Sequence, residues 1–228
     1  MSIIDPKIID SIVKELEIDD IRSASIRQIG AVVRAAEART GTEFIHFEMG
    51  IPGLPPAAVG VKAECDALQR GVASVYPIID GIPELKQQAS RFIKAFVDTD
   101  ISPEGCIPTV GSMQASFASL MLASQLDEKR DTALYIDPGF PVQKMQAQVI
   151  GVKIASFDIA EYRGEKLEEK LESCFAQGNI CAVLYSSPNN PTWMCLKDEE
   201  LEVIGRLATK HDVVVIEDLA YMTMDFRR

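Results

Sequence analysis

Tyr185-Ser186-Ser187-Pro188-Asn189-Asn190-Pro191-Thr192, followed by an amphipathic stretch and then Val213-Val214-Val215-Ile216-Glu217-Asp218, decides how this chain folds. The first piece ends the apolar run Ile180–Tyr185 in a loop rich in proline and asparagine. The second stays apolar until its last two residues, and between them Leu201–Lys210 has helical spacing. A strand, a returning helix and a second apolar strand make a βαβ unit. Both strands finish in polar residues, and open α/β sheets take their ligands outside strand carboxyl ends. Asn190 and Asp218 therefore stand at one crevice, an amide beside a carboxylate, suited to a polar and positively charged group.

Outward from this unit the alternation repeats. Thr132–Ile136 reads as a strand, 137–141 as a turn, Val142–Ile150 as a helix stopped by Gly151, Val152–Phe157 as a strand and Glu165–Phe175 as a charged amphipathic helix. This predicts an α/β fold with a doubly wound, mostly parallel sheet. The runs Ala182–Leu184 and Val213–Ile216 suit strands covered on both faces. Upstream, Ile107–Val110 is a short strand candidate, followed by Gly111-Ser112 and an apolar helix, Met113–Leu126. A glycine between strand and helix leaves the first N–H groups facing outward with the positive end of the helix dipole behind them, which suits a phosphate.

Earlier still, Ala57–Val72 and Glu84–Val97 read as helices, the second opening at Pro83 after the Gly/Pro-rich loop 75–83. Residues 5–40 carry two amphipathic helices, with Gly41 stopping the second, and Phe44–Phe47 is strand-like. Met49–Pro56 holds three prolines and two glycines in eight residues and cannot form regular structure. The expected organisation is an N-terminal helical arm over 1–50 and a partial, ligand-binding large domain over 51–228.

Composition narrows the function. With 228 residues, 47% apolar and 25% charged, the chain can bury a core, and its net charge of -11 argues against a nucleic-acid binder. No apolar run approaches a membrane span, and the N-terminus lacks a basic region followed by a hydrophobic segment, so a cytoplasmic location is expected. Cys65, Cys106, Cys174, Cys181 and Cys195 form no Cys-x-x-Cys pair, and only His46 and His211 could join them. A metal centre or a Ser-His-Asp triad has few parts to work with, and no metal is expected.

Four separated motifs, in order across roughly residues 40–228, resemble the fold type I pyridoxal-phosphate enzymes and, among them, the class I and II aminotransferases. They are Tyr-Pro-Ile-Ile-Asp-Gly from Tyr76, Gly111-Ser112-Met113-Gln114, Pro138-Gly139-Phe140, and Pro188-Asn189-Asn190-Pro191-Thr192 with Glu217-Asp218-Leu219-Ala220-Tyr221. The resemblance implies a role for each. Tyr76 looks like the tyrosine that reaches a neighbouring subunit's cofactor phosphate, which implies a homodimer with shared sites. Ser112 and Met113 look like the phosphate-cradling turn, and Phe140 like the ring stacked on the pyridine. Asn190 and Tyr221 match the donors to the cofactor's phenolic oxygen, and Asp218 matches the partner of the pyridine nitrogen. The physics agrees: a buried carboxylate favours a charged pyridinium, without which pyridoxal phosphate is a poor electron sink. Singly, these residues have plainer readings: Asp218 as a cap or solvated turn, Asn190 as a turn residue, Phe140 as core, Tyr76 as surface. Their joint occurrence carries the reading.

Two departures matter. Asn-Pro-Thr is normally followed by glycine in this family, and here Trp193 takes that place, so a different local turn is expected. The family's Schiff-base lysine, a phosphate-binding arginine and the arginine for the substrate carboxylate belong to a segment after the strand that follows Tyr221, and the chain ends at Arg228. The expectation is thus the N-terminal part of an aminotransferase that moves an amino group between an amino acid and a 2-oxo acid, inactive alone and binding cofactor weakly or not at all. Alternatives are a fragment of another enzyme on this scaffold, a β-eliminating lyase or decarboxylase, or a non-catalytic module that pairs with another chain.

Overall fold

The computed structural model describes residues 4–47, 50 and 53–224. By internal contacts the chain divides into two compact units, Met1–Val75 and Tyr76–Arg228, whereas the sequence reading drew its line at residue 50.

The second unit is built on a four-stranded, wholly parallel sheet: β1 (Thr132–Asp137), β2 (Lys153–Asp158), β3 (Ile180–Ser186) and β4 (Val214–Asp218), in the order β2-β1-β3-β4. The helices α4 (Pro83–Val97) and α5 (Gly111–Ala123) precede it. The crossovers are α6 (Pro141–Val149), α7 (Glu165–Phe175) and α8 (Asp198–His211). Alternate residues explain the layers. Leu134, Ile136, Val183 and Tyr185 pack with Leu167, Leu171, Phe175, Ile204 and Leu207 of α7 and α8. Ala133, Tyr135, Ala182 and Leu184 pack with Leu120 and Ala123 of α5 and Ala147 of α6. The central strands β1 and β3 are therefore buried on both faces, which is why they read as continuous apolar runs.

The chain steps outward from β1 to β2, then crosses back and proceeds through β3 to β4. The reversal lies between β1 and β3, and a crevice opens at such a switch point, outside the strand ends. Register brings the polar ends level there, with Ser186 opposite Asp218 and Tyr185 opposite Glu217.

In the first unit, α1 (Pro6–Glu15) and α2 (Ile26–Thr40) bury Ile12, Ile18, Val32 and Ala36 between them. Ser25 and Gln28 form a capping box at the start of α2, and Gly41 ends it with φ 67°, as its position after the last periodic residue implies. The helix α3 (Ala58–Gln69) buries none of its residues. Among the described residues no helix is long and apolar enough to cross a membrane.

Two short strands expected from sequence are corrected. Ile107–Val110 is irregular and outside any ladder, with Ile107 and Val110 largely exposed. Phe44–Phe47 likewise forms no strand. Both are apolar and β-prone, but among the described residues neither pairs with another strand; the Phe44 amide donates instead to Glu37 Oε1 at 3.1 Å and the Val110 amide to Gln114 Oε1 at 2.6 Å. Of the loop Met49–Pro56, Met49, Ile51 and Pro52 lie outside the described residues, and the rest is irregular as anticipated.

One buried ion pair fastens the loop that follows β3. Glu200, with 2% of its side chain exposed, accepts from Arg163 Nε and Nη2, both at 2.6 Å. It also accepts from the amides of Gly164 at 3.0 Å and Lys197 at 2.9 Å. Arg163 reaches on to the Cys195 carbonyl at 3.3 Å. Burial alone would push the Glu200 carboxyl up, but the Arg163 hydrogen bonds, and then the two amides, hold it down at about 2. The segment 194–200 is thereby tied to the start of α7.

Because the folded value lies below the ordinary 4.5, this carboxylate stabilises the fold fully above that pH and loses its contribution as pH falls through about 2. Glu200→Gln is expected to cost about 3 kcal/mol at pH 7 by urea denaturation. The gap to the parent should narrow between pH 4.5 and about 2; equal midpoints at pH 7 would show that the clamp is dispensable.

Candidate functional site

Three loops and one helix start converge at the switch point. The loop after β1 is short: Pro138, Gly139 and Phe140, the last serving as N-cap of α6 ahead of Pro141. The loop after β3 is longer and is folded around Asn189. Its amide nitrogen donates to the Pro138 carbonyl at 2.6 Å and to Ser186 Oγ at 3.2 Å. Its side-chain oxygen accepts from Thr192 Oγ1 at 2.7 Å and the Thr192 amide at 3.2 Å. Asn189 is 5% exposed and fully used in joining the two loops. Its neighbour Asn190 has no side-chain hydrogen bond among the described residues, so its amide is free to meet a ligand.

The start of α5 forms the opposite wall. Gly111 has φ 75° and meets no neighbour where a Cβ would lie, so the position demands a left-handed backbone rather than space. Val110, the N-cap, supplies no side-chain cap. The Gly111 amide donates to the Thr109 carbonyl at 2.9 Å, and the Ser112 and Met113 amides remain for an anion. Gln146 of α6 fixes this turn, donating to the Met113 carbonyl at 2.8 Å while accepting from Ser116 Oγ at 2.8 Å.

Asp218 ends β4 and is half-buried. One carboxylate oxygen accepts from the Ala220 amide at 3.1 Å and the other from Gln143 Nε2 at 3.1 Å. Gln143 is buried, and its carbonyl accepts from the Tyr135 hydroxyl at 3.0 Å. Burial, with lesser contributions from Cys181 and Asp137, pushes the Tyr135 phenol up to about 12, so it remains a neutral donor.

A cavity of about 240 Å³ lies among these parts, lined by Ser112, Met113, Phe140, Ser186, Asn190, Asp218, Ala220 and Tyr221. Six of the seven residues singled out from sequence therefore share one lining. Among the described residues Asp218 is its one charged side chain, and none of the lining residues is a lysine. Tyr76, the seventh, is fully exposed and absent from the lining. Sequence reasoning missed Gln143, Asn189 and Ser186. Gln143 stands one helical turn from Phe140, a spacing that could have placed both at the start of one helix but not the amide against Asp218.

Trp193 departs from expectation in the other direction. It keeps a left-handed backbone, φ 58°, so the turn retains the geometry a glycine would give it. Its amide donates to the Asn189 carbonyl at 2.8 Å, and its ring meets Tyr221 at 5.7 Å between centroids, edge to face.

A doubly wound parallel sheet with a helix start that has no side-chain cap, and with Asp218 in the cavity lining at its switch point, defines a ligand-binding α/β domain. Its family follows from the match of an aminotransferase class I and II model to residues 42–227: the chain belongs to that family, of fold type I and dependent on pyridoxal phosphate. Glutamate-pyruvate aminotransferase AlaC of Escherichia coli K12 is 33% identical over 197 residues, 85% of this chain and 46% of that protein. Aspartate aminotransferase of Thermotoga maritima is 29% identical over 206 residues, 90% of this chain and 53% of that protein. A crystal structure of a Thermotoga maritima aspartate aminotransferase matches with a TM-score of 0.72 at 28% identity, over 86% of this chain and 51% of that one. Alanine aminotransferase from Pyrococcus furiosus matches with a TM-score of 0.70 at 25% identity, over 85% and 49%. The chain spans about half the length of the curated relatives it matches.

The amide of Gln143 gives a test of how Asp218 is held. Gln143→Leu should lower stability by about 1.5 kcal/mol, the worth of a hydrogen bond to a charged group. Gln143→Glu, which sets a second carboxylate against the first, should destabilise more at pH 8 than at pH 5, where one of the two can take a proton and donate. Urea denaturation at both pH values reads the difference; no pH dependence would mean that the two side chains do not meet.

Proposed function

We propose that this cavity is the pyridine-facing half of a pyridoxal-phosphate site in an aminotransferase that moves an amino group between an amino acid and a 2-oxo acid. The observation that carries the reading is the gathering of Ser112, Met113, Phe140, Asn190, Asp218 and Tyr221, from separate chain segments, into one lining. The donor set fits the group. Uncapped amides and the Ser112 hydroxyl at the start of α5 suit a phosphate, Phe140 offers a flat apolar face to a ring, and Asp218 offers a lone negative charge.

When bound, the cofactor supplies the electron sink that eases bond changes at a substrate α-carbon. The chain's own residues hold and tune it. Asp218 keeps the ring nitrogen protonated, and Gln143 and the Ala220 amide keep that carboxylate in place. Asn190 and Tyr221 donate to the phenolic oxygen. Among the described residues no lysine lines the cavity, so the lining offers no side-chain amine to form an imine with the cofactor's aldehyde. Binding by these residues is then non-covalent and weak.

Tyr76 fits a different task. Its full exposure and its absence from the lining support a role toward a second copy of the chain, in a homodimer with shared sites. The reading also places the protein in the cytoplasm, where thiols such as Cys181 stay reduced.

Titration with pyridoxal phosphate, followed by the circular dichroism induced in the cofactor band, tests the cofactor site. Asp218→Asn should weaken binding roughly tenfold or more, the loss of one charge-assisted hydrogen bond. Borohydride treatment should leave no cofactor attached to a lining residue. Affinity indifferent to Asp218, Ser112 and Phe140 would sink the assignment. Sedimentation velocity at micromolar concentration checks the dimer separately: a species of twice the 25.0 kDa chain mass is expected, and a monomer removes the proposed role of Tyr76.

A further inference from the structure

Among the described residues four non-glycine positions have a positive φ: Glu17, Asp98, Trp193 and Asp212. Asp98 and Asp212 cap the ends of α4 and α8, and Glu17 follows the end of α1, where left-handed residues commonly close a helix. Trp193 closes no helix. It is also the bulkiest of the four, and a large side chain in this region is a true outlier that calls for a reason.

The turn itself gives none. Asn189 organises it through Thr192, through the Trp193 amide and through its own amide, which donates to the Met194 carbonyl at 2.9 Å. All of these would persist with glycine at 193. Burial gives no reason either, since Trp193 is 49% exposed. What the indole does is meet Tyr221, with centroids 5.7 Å apart and planes at 63°. Tyr221 lines the cavity beside Asn190 and Asp218, and among the described residues its hydroxyl has no hydrogen-bond partner. Among the described residues the indole is the one ring against it.

We propose that Trp193 is a positioning residue whose edge-to-face contact holds the Tyr221 ring in the cavity wall, keeping its hydroxyl among the polar groups that receive the ligand. The role of that hydroxyl toward a cofactor oxygen rests on the reading under "Proposed function"; the ring contact does not. Backbone strain is thus retained at 193 because a glycine, though easier to fold, would leave Tyr221 without its neighbour.

Trp193 is the chain's single tryptophan, which makes the contact optically readable. In the full chain without ligand, Tyr221→Ala should move the Trp193 emission to longer wavelength and raise its quenching by acrylamide, whereas Tyr221→Phe, which keeps the ring, should change neither. With pyridoxal phosphate added, Trp193→Gly should weaken binding roughly two- to tenfold, the range of an aromatic pair, and Trp193→Phe should restore it to within about twofold. Glycine accepts the left-handed backbone at 193 without strain, and a far-UV circular dichroism spectrum matching the parent's checks that Trp193→Gly keeps the fold. In the Tyr221→Ala background the same glycine substitution should have no further effect on binding. Unchanged emission in Tyr221→Ala, or losses that simply add in the double variant, overturns the proposal. If the parent chain binds no pyridoxal phosphate, as a lining without an amine for an imine allows, the emission measurements alone decide for or against the contact.

Discussion

The parallel pairing of β1 with β3 is the constraint on which the rest depends. These strands are separated in sequence by a complete strand and two helices, yet they lie side by side, with Tyr135 opposite Leu184. Both are buried on both faces, and together they form the floor on which α5 and α6 rest from one side and α7 and α8 from the other. A parallel pair cannot be joined by a tight turn, so each strand must hand its chain to a crossover at its carboxyl end. Where consecutive crossovers leave in opposite senses, as they do here, the two loops part and a hollow forms between them. The position of the cavity follows from topology before any particular side chain is considered.

Holding the hollow open requires polar groups that are satisfied internally, and the molecule uses three. Asn189 ties the β3 loop to the β1 loop through the Pro138 carbonyl. Glu200 and Arg163 tie the far end of that loop to the start of α7. Gln143 ties the start of α6 to the end of β4 through Asp218. Each replaces a hydrogen bond to water by one to protein, which contributes little net energy but makes any other arrangement of the loops costly. Such groups specify a geometry more than they stabilise it.

Much of this was legible in the chain. Strand and helix order in the sheet could be read because buried parallel strands are apolar runs and their crossovers are amphipathic, as Ala182–Leu184 and Glu165–Phe175 illustrate. The β4 residues Val214–Ile216 looked equally buried, but β4 is an edge strand with Val215 38% exposed, a fact of sheet order that local composition does not carry. Ile107–Val110 and Phe44–Phe47 failed for a related reason: β-propensity expresses fit to a neighbour, and the neighbour is not in the window being read. Ligand-facing residues were legible through their loops, since turns that depend on proline, glycine and asparagine leave local marks. Gln143, a helical residue acting across 75 positions on Asp218, left no local mark.

The adjacent asparagines show where local chemistry stops and context begins. Asn189 and Asn190 are identical in composition and neighbours in one loop, and each precedes or lies near a proline, so propensity assigns both to a turn. The structure divides the labour between them. Asn189 is buried with both ends of its amide occupied, so it cannot also serve a ligand without releasing the Pro138 carbonyl or Thr192. Asn190, one residue on, enters the cavity lining. The satisfied amide makes the loop rigid, and the rigid loop holds the other amide at a fixed place without binding it. Trp193 extends the same logic by three residues: its backbone completes the turn that Asn189 organises, and its ring is spent outward on Tyr221. A preorganised site of this kind needs residues that are fully engaged behind those that face the ligand.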